Sequence, residues 1–234
     1  MRAALNSLTA YDYNKAILPL SYGLAAWYWY RSANATPLDI LAKVGSTALL
    51  ALHGHKVSEH HVQKQMVAAL VSHCIGDLLI ELPGEKLFLC AIATFLIGHS
   101  FYISKLQKNH FSLAELNLPR ALGLAAFTIY GAAFTHLLTS KTSGVIQCAI
   151  PLYSLAISVM FMLACLQKEN MLRNFLGAFL YVASDNIIGA NMFVNKIPGA
   201  NYLSWPLYFL GQRVMLPDVK KDMQAESKKL SIDR

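Results

Sequence analysis

The feature that most limits what this chain can fold into is a succession of eight apolar stretches, at residues 16–30, 38–53, 62–82, 87–106, 119–138, 145–167, 171–193 and 202–216, separated by short polar connections. A helix rises about 1.5 Å per residue and the hydrocarbon of a bilayer is about 30 Å thick, so roughly 20 apolar residues make one crossing. In lipid, only helices and closed barrels satisfy every backbone N–H and C=O, and uninterrupted runs of this length predict helices. Composition agrees: of 234 residues, 55% are hydrophobic and 14% charged. The charges gather between the stretches instead of lining one face of each, as they would in a soluble bundle. A soluble globular enzyme is thereby excluded, and no large soluble domain fits between the stretches. The expected fold class is all-α: a polytopic membrane protein of eight transmembrane helices, forming one domain over residues 1–216. Residues 217–234 mix Lys220, Lys221, Lys228 and Lys229 with Asp218, Asp222, Glu226 and Asp233 and read as a solvated cytoplasmic tail.

Orientation follows from the basic residues, which are enriched on the cytoplasmic side of membrane proteins. Eight crossings place fifteen Lys and Arg on the side of the two termini and four on the other (Arg31, Lys86, Lys141 and Lys196), with Lys43 inside helix two. Both termini are therefore expected in the cytoplasm, and an odd number of helices destroys the asymmetry. The net charge of +7 is accounted for by this topology, since no basic stripe with interleaved aromatics marks a nucleic-acid partner. Tyr28, Trp29, Tyr30, Tyr202, Trp205 and Tyr208 are rings of the kind that sit at the headgroup level. The first stretch lacks a cleavage-like segment and is expected to act as its own, uncleaved signal. Cys74, Cys90, Cys148 and Cys165 lie in or beside apolar stretches without C-x-x-C spacing and read as small buried hydrophobes.

Against this apolar background, ionisable residues within the stretches stand out. An Asp at the centre of a spanning helix costs about 2.5–3.5 kcal/mol on insertion scales, so an intramembrane acid points to function by default. Asp185 lies in Ser184-Asp185-Asn186 of the seventh stretch, and Asp77 in Ser72-His73-Cys74-Ile75-Gly76-Asp77 of the third. Helices three and seven run in the same direction, and the two acids are fifteen and fourteen residues into their stretches. At 1.5 Å per residue they reach one depth to within a turn and can face one cavity. His73, Asp77 and Glu81 share a helical face at spacings of four. A scaffold contact between helices is the bland alternative, but Asn or Gln makes such a contact at lower cost. Glu81, near its helix end and close to Glu85 and Lys86, reads equally well as an interfacial residue.

Further polar groups gather at similar depths: Lys43 on helix two, His99 and Tyr102 on helix four, Tyr153 on helix six, Ser184 and Asn186 beside Asp185, and Gln212 on helix eight. Lys43 can snorkel to the surface, or pair with an acid or a lipid phosphate. His53, His55, His60 and His61 are expected in one solvated loop, since no Cys or carboxylate pair completes a zinc set there. The His73-x-x-x-Asp77 spacing resembles part of the alkaline ceramidase-like zinc hydrolases, but the H-x-x-x-H pair those enzymes carry near the C-terminus has no counterpart after His136.

Taken together, Ser72 to Asp77, Gly98-His99 with Tyr102, Tyr153 to Met160, Gly177-Ala178-Phe179 with Ser184-Asp185, and Tyr208 with Gln212 resemble the YhhN-type lysoplasmalogenases, an integral membrane family. The family shows Lys-Pro early in helix two, where this chain has Lys43 followed by Val44. The resemblance implies hydrolysis of the vinyl ether of a lysoplasmalogen, of choline or ethanolamine type, to a fatty aldehyde and glycerophosphocholine or glycerophosphoethanolamine. It implies a lysophospholipid substrate within membrane lipid, no nucleic acid, and no metal or other cofactor. Its expected placement is a bacterial inner membrane rather than an intracellular eukaryotic one. Chemistry adds that a vinyl ether is cleaved by protonating carbon, which needs a carboxyl that keeps its proton near neutral pH, and burial beside a second carboxylate favours that state. Asp77 and Asp185 are the expected catalytic pair. Tyr102, Tyr153, Ser72, Ser184 and Gln212, with His99 and Asn186 beside them, are expected to hold water or the glycerol hydroxyl, and Lys43 to meet the phosphate. The alternatives are a ceramidase-like zinc-dependent lipid hydrolase and a proton-coupled transporter, in which the same acids relay protons.

Overall fold

A computed structural model describes residues 2–57, 61–108, 110–112 and 115–216. The described residues form eight α-helices and no strand: α1 (Arg2–Arg31), α2 (Pro37–Val57), α3 (His61–Leu79), α4 (Glu85–Leu106), α5 (Leu118–Thr139), α6 (Gly144–Cys165), α7 (Met171–Gly189) and α8 (Ala200–Met215). One turn of π-helix, Ala190–Val194, prolongs α7. The expected tail, 217–234, and His60 lie outside the described residues.

The helix ends obey local chemistry. At the start of α2, Asp39 Oδ2 reaches back to accept the Thr36 backbone N–H at 2.8 Å and the Thr36 hydroxyl at 2.7 Å, and Pro37 takes the first helical position. At α5 the Asn117 side chain accepts from the Arg120 backbone N–H at 3.1 Å. Two helices run past their apolar stretches. Helix α1 starts at Arg2, fourteen residues before the expected span, and α2 carries His53 and His55 within it, so these two do not lie in a loop. Hydropathy locates what can sit in lipid, whereas helical hydrogen bonding continues wherever the backbone can make its next bond.

The helices α4, α5 and α6, each of 22 residues, are long and apolar enough to cross a membrane and mark the chain as a membrane protein. The others have shorter or more polar windows, and α3, α7 and α8 carry many of the buried polar groups described below. In packing order, α1, α2, α3, α4, α6, α7 and α8 each touch the next, and α8 returns to α1, closing a ring of seven. Helix α5 stands outside this ring against α6, which is why most of its large side chains, Leu122 and Ile129 among them, are exposed.

Glycines set the closest approaches in the ring. A Cβ on Gly177 of α7 would lie 2.9 Å from the Gly211 carbonyl oxygen of α8, and one on Gly211 would lie 2.8 Å from the Gly177 carbonyl oxygen. These two backbones meet with no side chain between them, the small-residue contact by which membrane helices approach. Between α3 and α4, a Cβ on Gly98 would fall within the space of the His73 ring, and one on Gly76 within that of Phe95. On α8, Pro206 cannot donate to the carbonyl of Tyr202, and the Trp29 indole N–H donates to that oxygen instead at 2.9 Å.

Candidate active site

The interior of the ring is polar and aromatic at mid-depth. His73 and Asp77 of α3, His99 and Tyr102 of α4, Ser184 of α7 and Gln212 of α8 are all buried, none more than 2% exposed. The rings of His73, His99, Tyr102 and Tyr181 cluster with centroids 5.0–5.4 Å apart. Beside this cluster a cavity of about 320 Å³ opens among the ends of α1, α3, α5 and α7 and the beginnings of α2, α4, α6 and α8. It therefore occupies one half of the bundle. Its polar lining includes Lys43, Asp77, Glu81, Tyr153 and Asp185, and its apolar wall includes Phe88, Ile92, Phe134, Leu138 and Ile150.

Asp77 and Asp185 line this one cavity from two helices. The parallel direction of α3 and α7 and the matching positions of the two residues bring this about, as the equal-depth argument expects. Their surroundings differ. Asp77 Oδ2 accepts the Thr47 hydroxyl at 2.8 Å, and its Oδ1 lies 4.0 Å from Lys43 Nζ. Asp185 Oδ2 accepts the Tyr153 hydroxyl at 2.5 Å. The Tyr153 oxygen lies in turn 3.2 Å from His99 Nε2. If Tyr153 donates its single proton to Asp185, Nε2 must donate to Tyr153, which fixes the tautomer of His99.

The other sequence-derived residues divide between cavity and scaffold. Lys43 reaches the cavity and donates to Glu81 Oε1 at 2.6 Å. Ser184 and Asn186 line it too, Ser184 donating to the Ser204 carbonyl at 2.9 Å and Asn186 to the Tyr130 hydroxyl at 2.9 Å. His99, Tyr102 and Gln212 are not cavity-lining; they stand behind it in the buried cluster. Ser72 is farther still, bonded to the Ala68 carbonyl at 3.0 Å and lining a separate cavity with His55 and Lys64.

Four contributors were not expected at the site: Glu81, Tyr28 and Trp205 were read in other roles, and Thr47 was not singled out. Glu81, which read as readily interfacial, is the ion-pair partner of Lys43 and also accepts the Tyr28 hydroxyl at 2.8 Å. Its spacing of four from Asp77 was the available signal. Thr47 is likewise four residues after Lys43, on the same face of α2. Tyr28 and Trp205, read as headgroup anchors, line the cavity, and their rings lie 5.4 and 5.6 Å from Lys43 Nζ. Among the described residues, no three His, Cys, Asp or Glu side chains converge as a metal-ligating group.

The arrangement offers a carboxyl flanked by a cation and a hydroxyl, a second carboxyl held by a tyrosine, and an apolar wall in the same cavity. No curated protein and no solved structure matches the chain. A family model does match, over residues 38–218, which takes in every helix that lines the cavity except α1, and the chain belongs to the YhhN family.

Proposed function

We propose that this protein is a lysoplasmalogenase, hydrolysing the alkenyl ether of a choline or ethanolamine lysoplasmalogen, and that all eight helices cross the membrane with both termini cytoplasmic. The observation that carries the reading is the pair Asp77 and Asp185 on one cavity that also has an apolar wall. Membership of the YhhN family supports it, as does the fifteen-to-four asymmetry of basic residues. On this topology the cavity lies in the non-cytoplasmic half.

The alkenyl chain lies against the apolar wall, bringing its vinyl ether between the two acids. Asp185 is the proton donor: among the described residues no basic side chain lies within ion-pair distance of it, and Tyr153 holds one of its oxygens, leaving Oδ1 for the substrate. Asp77, with Lys43 and Thr47 beside it, is the carboxylate. Asp185 transfers its proton to the vinyl carbon distal to the ether oxygen, the oxygen shares its lone pair, and an oxocarbenium ion forms. Asp77 stabilises this cation and orients a water, which adds to it and yields a proton to the carboxylates. The hemiacetal then collapses: its hydroxyl yields a proton to a carboxylate as the C=O forms, the C–O bond to glycerol breaks, the glycerol oxygen takes a proton from a carboxyl, and the aldehyde leaves. Protons balance, one water is consumed, and Asp185 ends protonated. The two carboxyl roles parallel those in glycosidases, which pass through similar cations.

Aldehyde release from 1-alkenyl-glycerophosphocholine by the purified protein in detergent tests the reading. Asp77→Asn and Asp185→Asn are each expected to lower kcat by at least about a hundredfold, the usual weight of a positioned acid or base. Near-normal turnover by either variant refutes the two-acid mechanism. A wild-type protein that forms no aldehyde refutes the activity, and the transporter reading then takes its place.

A further inference from the structure

Among the described residues, the cavity is lined by three carboxyl side chains, Asp77, Glu81 and Asp185, and by one basic side chain, Lys43. That one cation is already engaged. Its Nζ lies 2.6 Å from Glu81 Oε1 and 4.0 Å from Asp77 Oδ1, its side chain is 9% exposed, and the Tyr28 and Trp205 rings flank it. The Tyr28 hydroxyl, donating to the same Glu81 oxygen, holds the acceptor in place. Turning Lys43 toward an anionic ligand would strip both acids of their counter-charge in a low-dielectric setting, where an uncompensated charge is the costly state. A phosphate diester entering the cavity would add a further negative charge beside three carboxyls.

Building on the lysoplasmalogenase reading, we infer that Lys43 is the internal counter-ion of Asp77 and Glu81 and not a ligand of the lipid phosphate. Lys43 is then a positioning residue, acting through Asp77, and the cavity reads only the neutral part of the substrate: the alkenyl ether and its glycerol. The phosphate and its headgroup stay at the outer mouth. A phosphate-free 1-alkenylglycerol is therefore a substrate of the same site.

The test compares 1-alkenyl-glycerophosphocholine with 1-alkenylglycerol in detergent micelles, using the wild type, Lys43→Met, Glu81→Gln and the double variant, with kcat and KM measured separately. The wild type is expected to cleave both, with kcat/KM values within about tenfold. Lys43→Met should lower kcat on both substrates by the same factor, about tenfold or more, because it leaves Asp77 facing an unpaired Glu81. Adding Glu81→Gln removes that repulsion and should recover at least about threefold on both. A rise in KM confined to the phospholipid, a double variant no better than Lys43→Met, or a wild type that cleaves the phospholipid while ignoring the alkenylglycerol overturns the inference. Should Lys43→Met not yield a monodisperse protein, the wild-type substrate comparison decides: a preference for the phosphate-bearing substrate above about a hundredfold overturns it, and comparable rates support it. Failure of the wild type on both substrates refutes the lysoplasmalogenase reading itself.

Discussion

Replacing Gly211 by alanine tests whether the register of α7 against α8 holds the site together. The new Cβ would lie 2.8 Å from the Gly177 carbonyl oxygen, 3.0 Å from the Tyr181 backbone nitrogen and 3.4 Å from Leu180 Cβ. A carbon and a carbonyl oxygen rest at about 3.3–3.6 Å, so the closest contact is short by about 0.5 Å or more. The atoms in the way are backbone, which cannot swing aside, and the helices must part. Overpacking of this kind costs about 1–3 kcal/mol. Gly123 supplies the control, since a Cβ there meets nothing within 4 Å on the exposed face of α5. With no contact to oppose it, Gly123→Ala gains about 0.5–1 kcal/mol from the lower backbone entropy of alanine in a helix. The two alanines should thus move thermal unfolding in detergent in opposite directions. Parting α7 from α8 also strains the bond from Ser184 to the Ser204 carbonyl next to Asp185 and moves Asp185 in the cavity that both helices line, and a shift approaching 1 Å at a catalytic group costs up to about a hundredfold in rate. Gly211→Ala should therefore lose kcat as well as stability. Equal melting temperatures and equal turnover for the two alanine variants would refute the close-packing argument.

Two further outcomes follow from the site. Thr47→Val removes the hydroxyl that donates to Asp77 at 2.8 Å, a bond to a charged group worth about 1.5–3 kcal/mol. If Asp77 stabilises the cation, kcat should fall about ten- to a hundredfold with KM little changed, and an unchanged kcat removes Thr47 from the machinery. Ile150→Trp adds bulk to the apolar wall of the cavity; measured across alkenyl chains of different length, it should depress turnover of long chains more than of short ones, and a uniform effect argues against that wall as the chain site.

The eight helices and the two acids were legible in the chain itself. Apolar runs separated by polar connections fix where helices can cross lipid, because an unsatisfied backbone in hydrocarbon is too costly for any irregular path. Equal distances along parallel helices placed Asp77 and Asp185 at one depth, and Gly76, Gly98 and Gly177 in the same motifs turned out to be the points where helices touch. Helix ends were less legible, as α1 and α2 show, because hydropathy ends where lipid ends and hydrogen bonding does not.

What only the tertiary structure decided is which polar groups meet. Sequence gave Ser72, Tyr102 and Gln212 the same standing as Tyr153, yet Tyr153 bonds Asp185 while Ser72 turns back on its own helix. It left Glu81 at an interface, whereas the structure ties it to Lys43 and Tyr28. Helical periodicity determines a residue's depth and its neighbours on one helix, but the azimuth at which helices face one another depends on packing that no single segment encodes. Here that packing is a ring of seven helices with α5 outside it, and the ring sets Lys43 among two acids instead of leaving it free.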